Sequence, residues 1–224
     1  VGQKTLDMER QAIQAMFQNV TGQLSRGERL PVIESKYQQD LAGRSYTPEQ
    51  VQGIVNAQTE RNALSTEIAH AAGLRAHELL TLQRIEERAP SERPALDTKF
   101  EGRDGDKYTV HGKGGLVREV VIPQALAARL EGRRFESPQK VTDRNIKYES
   151  RYDISGGNKW SSSFTNASNR TLGWSNGAHG VRHSYAQERM SELRTAGLSY
   201  EKSLETVSQE VGHFRQDITE VYLR

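Results

Sequence analysis

Six residues are spaced and typed for one piece of chemistry: Arg75, Lys113, His179, Arg182, His213 and Tyr222. Each of the first five stands in a short patterned context. These are Gly73-Leu74-Arg75-Ala76-His77-Glu78-Leu79, His111-Gly112-Lys113-Gly114-Gly115, His179-Gly180-Val181-Arg182-His183 and Val211-Gly212-His213. Tyr222 lies two residues from the C-terminus. By type, the set could move a phosphodiester onto a protein hydroxyl. That transfer passes through a five-coordinate, highly anionic phosphorus centre, whose nonbridging oxygens need fixed, bidentate cations. Two arginines meet this need better than lysines, and Arg75 and Arg182 are the candidates. A tyrosine nucleophile, with an ordinary pKa of about 10, needs a nearby base or a cationic field.

Taken singly, each residue has a plainer reading. Arg75 with Glu78 three residues on suits a surface ion pair. Lys113 suits a solvated turn, His213 a satisfied core histidine, and Tyr222 core packing on a terminal amphipathic helix. His179 and His183, four apart, have the spacing of a helical zinc pair, but no Glu completes the HExxH arrangement and no metal is expected. Conjunction and order favour the functional reading.

The elements that must position these residues are legible in part. Residues 5–20 read as a helix with Leu6, Ile13, Phe17 and Val20 on one face, and residues 26–44 as a linker or loose extension. Thr47-Pro48-Glu49-Gln50 is a helix start with a hydroxyl N-cap, Pro at the first turn and Gln50 placed to close a capping box. The main domain boundary is placed near Ser45. Residues 62–72 form a second amphipathic helix, with Leu64, Ile68 and Ala71 in register. Gly73 breaks it, and a short helix follows through Leu82. An arginine just after such a break faces free N–H groups, and a shared anion would explain a cation there.

Residues 108–123 read as a hairpin around the Gly112–Gly115 turn, and residues 124–130 as a short helix. The Ser/Asn/Gly-rich stretch 155–177 reads as a long functional loop. Helices resume at His179, which places His179, Arg182 and His183 on one face. Ala186, Met190 and Leu193 line one helix face, and Tyr200, Leu204, Val207 and Val211 another. A last short helix spans 218–223. The expected class is mainly α with a small antiparallel β-sheet or hairpin (α+β), one sheet in all.

Length and composition bound the rest. The 224 residues hold one full domain and part of another, with 34% hydrophobic and 27% charged residues and a mean hydropathy of −0.77. No apolar run approaches the roughly 20 residues of a membrane span. No cysteine is present, so there is no disulfide framework, and a cytoplasmic setting is expected. The chain opens Val1-Gly2-Gln3-Lys4, which points to a fragment whose preceding domain is missing. Net charge is only +2, but residues 103–183 hold 14 Lys/Arg against 8 Asp/Glu, and this segment carries Lys113, His179 and Arg182.

From Ser45 to the end, these motifs closely resemble the catalytic domain of the tyrosine recombinases, the integrases of phages and mobile elements. The resemblance implies the tyrosine recombinase catalytic-domain fold for residues 45–224. It makes residues 1–44 the end of a core-binding (SAM-like) domain plus linker. It further implies a site-specific DNA recombinase that cuts and rejoins strands through a 3′-phosphotyrosine, to integrate or excise a prophage or mobile element. In that family's terms Lys113 protonates the 5′ leaving oxygen, His179 is the general acid/base and His213 a third donor to the phosphate. Glu78 orients the first arginine from behind, His183 supports the site, and Tyr222 is the nucleophile. The separation from His213 to Tyr222, 222 − 213 = 9 residues, is the family's. No metal, ATP or other cofactor is implied.

The partners implied are double-stranded recombination sites, a homo-tetramer on DNA for the full-length protein (monomer for this fragment), and accessory DNA-bending proteins. The expected location is the bacterial nucleoid. Type IB topoisomerase-like relaxation and a catalytically silent DNA-binding module are the alternatives.

Three departures from the family pattern stand out. The Arg182–His213 gap, 213 − 182 = 31 residues, is long, with the extra length expected around residues 194–197. Residues 84–107 are longer than a minimal connection and suggest an insertion or an added DNA or protein contact. The chain stops before any segment that could dock on a neighbouring protomer. With so little downstream of it, the Tyr222 helix is expected to be mobile, or displaced from the other five residues, until DNA binds.

Overall fold

A computed structural model describes residues 1–37 and 42–224. The chain divides into two compact units, Val1–Ala42 and Gly43–Arg224. In the first, helix α1 (Gln3–Met16) widens into a π-type turn, Phe17–Thr21. The apolar face expected for it is not buried: Ile13 and Val20 are exposed, Leu6 and Phe17 only partly covered. The extension after it is not loose over its described part. It runs back along α1, with Leu30 N donating to Gln14 Oε1 (3.1 Å) and Ser35 N to Gln3 Oε1 (2.8 Å). Residues 38–41 of that stretch lie outside the described residues.

The second unit is helical around two small antiparallel sheets. Helix α2 (Pro48–Asn56) starts with the capping box read from the sequence: Gln50 N donates to Thr47 Oγ1 and Thr47 N to Gln50 Oε1. It packs on α3 (Glu60–Ala71), which buries Leu64 and Ile68. After Gly73 the expected short helix is a single 3-10 turn, Glu78–Thr81. Gly73 has φ +58°, and a Cβ there would lie 2.6 Å from the Tyr185 ring, so only glycine turns the chain this closely against the helix behind it.

Strands β1 (Gln83–Arg84), β2 (Asp106–His111) and β3 (Val117–Ile122) form the first sheet in that order, with Tyr108 opposite Val120 and Val110 opposite Arg118. The β2–β3 turn, Lys113–Gly115, holds Gly114 and Gly115 at φ 78° and 83°. The long 85–105 connection is a strap inside the unit. Ser91 N donates to Val117 O (2.8 Å), Leu96 N to Gln209 Oε1 (2.9 Å) and Phe100 N to Glu210 Oε1 (2.9 Å).

Two expectations fail after α4 (Gln124–Glu131). A second hairpin, β4 (Arg134–Asp143) with β5 (Ile146–Tyr152), makes two sheets rather than one. The stretch read as a loop is the 16-residue helix α5 (Gly157–Leu172), burying Trp160, Phe164 and Ala167 on one face. Tertiary packing overrides the poor helix propensity of its Ser and Asn residues. A carboxylate from the second hairpin also helps to start it, as Asn158 N donates to Asp143 Oδ1 (2.8 Å).

Helices α6 (Gly180–Thr195) and α7 (Tyr200–Glu210) pair across a short turn at 196–199. The chain ends in α8 (Gln216–Glu220) and a 3-10 turn, Val221–Leu223. No helix among the described residues is long and apolar enough to cross a membrane. Removing the α2 cap by Thr47→Ala is expected to lower unfolding free energy by about 1 kcal/mol. Urea denaturation at pH 7 checks this, and an unchanged midpoint would show the box to be ornamental.

Candidate active site

The site is built around a buried carboxylate. Glu78, in the 3-10 turn, is 0% exposed. Its Oε1 accepts from Arg75 Nη1 (2.9 Å) and its Oε2 from Arg75 N (2.8 Å) and Arg118 Nη2 (2.7 Å). Arg182 Nη1 stands 3.8 Å from Oε2. Burial alone would raise the Glu78 pKa. The guanidinium charges of Arg118, Arg182 and Arg75 outweigh it and hold the carboxyl well below the usual range.

Arg182 enters from the first turn of α6 and is 0% exposed. It donates through Nη1 to Gly73 O and through Nη2 to Val211 O. Among the described residues its Nε is buried without a partner. Burial pushes its pKa down to about 10, an effect only partly offset by Glu78, so it stays charged at neutral pH. Arg75 thus meets Arg182 across the Glu78 carboxylate, held by the chain reversal at Gly73.

The expectation that Tyr222 is displaced from the other five residues is overturned. Its side chain is 8% exposed and belongs to the apolar cluster of Ala186, Met190, Leu204 and Val207. The terminal turn is tied to α6, as Gln187 Nε2 donates to Tyr222 O (3.2 Å) and Arg224 O (2.9 Å). The short helix can hold because its anchor is lateral.

The Tyr222 ring lies 4.5 Å from the His183 ring, 5.0 Å from His213 and 5.5 Å from His179 (centroid distances), and 5.7 Å from the Arg182 guanidinium carbon. Its hydroxyl is 3.1 Å from His179 Nε2. Burial, then the charge of Arg182, lowers His179 to about 4. Burial, then Arg44, lowers His183 to about 4. Burial, then Arg182 and Arg75, lowers His213 to about 3. All three imidazoles are therefore neutral at pH 7, and in the Nδ1–H tautomer His179 Nε2 accepts the hydrogen bond of the Tyr222 hydroxyl.

His213 Nδ1 is 3.2 Å from Thr219 Oγ1, while its Nε2 lies 3.4 Å from Arg182 Nη2. The Thr219 hydroxyl donates to Arg215 O (3.3 Å) and a guanidinium can only donate, so Nδ1 carries the hydrogen toward Thr219 Oγ1 and Nε2 accepts from Arg182. Lys113 is exposed and lines, with Glu92, Arg93, Gly212 and His213, a cleft of about 550 Å³. The structure thus gathers Arg75, Glu78, His179, Arg182, His183, His213 and Tyr222 into one cluster and sets Lys113 at its open edge. Among the described residues no three His, Asp or Glu side chains are grouped to hold a metal.

Three charged residues at this site escaped the sequence reading: Arg118, Arg189 and Glu210. Arg118, from β3, donates to Glu78, Gly73 O and Glu210 O. The Glu210 carboxylate accepts from Arg189 Nη2 (2.8 Å) and from the Tyr185 hydroxyl (2.8 Å) beneath the His213 loop. Arg189 had a signal, as its four-residue spacing from Tyr185 lays it on the inner face of α6.

Acid should loosen this cluster. An unfolded histidine titrates near 6.5, above each folded value, so the stabilisation is complete above about pH 6.5 and is lost as pH falls toward 4 and 3. Urea midpoints are expected to drop between pH 6.5 and 4, and less steeply in His213→Asn. A flat wild-type profile over that window would contradict the buried neutral imidazoles.

No protein-family model matches the chain, and no curated protein does. Solved structures do. The XerA recombinase superposes with a TM-score of 0.53 at 15% identity, over 95% of this chain and 76% of its own. The XerH site-specific recombinase, in a post-cleavage complex with a palindromic difH substrate, gives 0.56 at 16% over 96% and 60%. The Tn1549 transposon integrase, in complex with circular intermediate DNA, gives 0.57 at 14% over 100% and 76%. The chain has the fold of the tyrosine recombinases.

Proposed function

We propose that this chain is the DNA-cleaving part of a site-specific tyrosine recombinase of a prophage or mobile element. The observation that carries this reading is the Tyr222 hydroxyl 3.1 Å from a neutral His179, beside Arg182 and the Glu78-bound Arg75. In the proposed step Tyr222 Oη attacks a DNA phosphorus as His179 Nε2 takes its proton. The Tyr–O–P bond forms and the P–O5′ bond breaks. Lys113, on its glycine turn, gives a proton to the departing 5′ oxygen. Arg75 and Arg182 donate to the nonbridging oxygens, and His213 joins them once Arg182 turns to the phosphate and the imidazole hydrogen moves to Nε2. The phosphotyrosine retains the energy of the broken bond, and the reverse attack by a 5′-hydroxyl rejoins a strand, so no ATP is called for.

Arg182 is fully buried under the Tyr222 ring. A phosphate therefore reaches it only when the terminal turn gives way, and the arrangement described is the site before DNA enters. Residues 1–44 would then be the end of a core-binding domain and its linker. Assembly as a tetramer on duplex DNA, with DNA-bending accessory proteins, belongs to the same reading.

Covalent capture tests this directly. Incubated with nicked duplexes of randomised core, the chain is expected to form a denaturant-resistant adduct on a restricted set of sequences. Tyr222→Phe should abolish the adduct while leaving duplex affinity within about twofold, because only the attacking oxygen is lost. No adduct from the wild type, or an adduct from Tyr222→Phe, would sink the proposal. Relaxation of any supercoiled plasmid without a selected core would favour the topoisomerase reading.

Lys113→Ala should slow capture by about 10² to 10⁴-fold, the range for a lost general acid. A bridging 5′-phosphorothiolate duplex, whose leaving group needs no proton, should restore it. Failure of that rescue removes Lys113 from the role.

A further inference from the structure

We propose that Arg118 is a positioning residue for strand cleavage: it keys the Lys113 hairpin to Arg75, Arg182 and His213, and takes up the Glu78 charge so that the paired arginines stay available to a phosphate. This rests on the recombinase reading above. Arg118 is 4% exposed, and its Nε, Nη1 and Nη2 are all engaged by Glu78, Gly73 O and Glu210 O, whereas Arg182 keeps an Nε unpartnered among the described residues. Arg118 therefore acts through those groups.

Its partners lie in the Arg75 motif and immediately before the His213 motif. Nη2 donates to Glu78 Oε2 (2.7 Å) and to Gly73 O (3.1 Å), both in the Arg75 motif. Nη1 donates to Glu210 O (2.8 Å), one residue before Val211. Arg182 makes the neighbouring pair of bonds, to the same Gly73 carbonyl and to Val211 O. The two guanidiniums therefore act as parallel rungs between the Gly73 turn and the end of α7.

The Arg118 stem also shapes the His213 motif. A Cβ on Gly212, at φ +72°, would lie 2.9 Å from Arg118 Cδ, so the glycine before His213 admits this arginine. Arg118 itself stands on β3, five residues after Lys113 in the same hairpin. One side chain thus fixes the acid's hairpin relative to the phosphate cations and to His213.

The charge argument runs in parallel. Glu78 faces Arg75, Arg118 and Arg182, with His77 also close enough to feel its charge. Arg118 is bonded to Oε2 at 2.7 Å, whereas Arg182 stands off at 3.8 Å. Without Arg118, Glu78 would have to draw Arg182 in, or take up a proton and loosen Arg75.

The test compares Arg118→Lys, Arg118→Met and the neutral pair Glu78→Gln/Arg118→Met with the wild type, using the duplex selected by covalent capture. Cleavage is measured under single turnover at saturating DNA from pH 5 to 9, with duplex Kd and circular dichroism alongside. Arg118→Lys keeps the charge but cannot span three partners. It should fold and bind, yet cleave on the order of 10²-fold more slowly, the scale of a small misplacement of reacting groups.

Arg118→Met should gain an acid limb in its rate profile that the wild type lacks, and the neutral pair should lose that limb. Carboxyl ¹³C NMR, with the Glu78 signal identified by its loss in Glu78→Gln, gives a readout independent of cleavage. Glu78 should remain ionised through the ordinary carboxylate range in the wild type and Arg118→Lys, and titrate within or above that range in Arg118→Met. Wild-type adduct with wild-type rates in Arg118→Lys would overturn the proposal. So would parallel pH profiles in the wild type and Arg118→Met, or an unmoved Glu78 titration. If Arg118→Met does not fold, the Arg118→Lys rate decides. Absence of wild-type adduct would instead overturn the recombinase reading.

Discussion

Everything at this site depends on one buried anion. A carboxylate with no exposure costs several kcal/mol to desolvate unless charge and hydrogen bonds replace the lost water. Glu78 has that replacement from Arg75 and Arg118, with Arg182 at the edge of reach. The three cations repel one another, so the anion is also what lets them share so small a volume. Because the arginines come from the Gly73 turn, β3 and α6, balancing this charge brings three distant parts of the chain together. Electrostatic necessity here does the work that apolar packing does elsewhere in the unit.

A second ionic centre sits behind the first. Glu210 binds Arg189, the Tyr185 hydroxyl and the Phe100 amide through its carboxylate, and Arg118 through its carbonyl. The strap at 85–105, α6 and β3 therefore meet at the residue that introduces Val211, Gly212 and His213. The histidine loop is consequently bonded down on its inner side while its outer side lines the cleft beside Lys113. The strap, which looked like surplus length, is part of the frame.

What could be read from the chain alone follows from how local each signal is. The Thr47 cap, the Gly112–Gly115 hairpin and the shared face of His179, Arg182 and His183 depend on neighbours a few residues apart, and all three are present. Helix α5 was missed because Ser, Asn and Gly dominate its composition, while its decisive signal, Trp160, Phe164 and Ala167 at helical spacing, is carried by few residues. The β4–β5 hairpin has mixed, mostly exposed strands that show no clear alternation. Arg118 and Glu210 were invisible for a stronger reason. Their importance lies in partners 40 and 92 positions apart in sequence, which no local pattern encodes. The error over Tyr222 was of the same kind, since its anchor on Gln187 and α6 is lateral.

That lateral anchor has a consequence for any assembly on DNA. Tyr222 is inserted into the core of its own unit, with its hydroxyl on that unit's His179. On the proposed reading, a subunit so arranged would not borrow a nucleophile from its neighbour. Each would carry its own set of the proposed reacting groups, and a neighbour would contribute timing: which of several sites opens, and when. Division of labour among copies would then lie in the order of firing, with no part missing from any one of them.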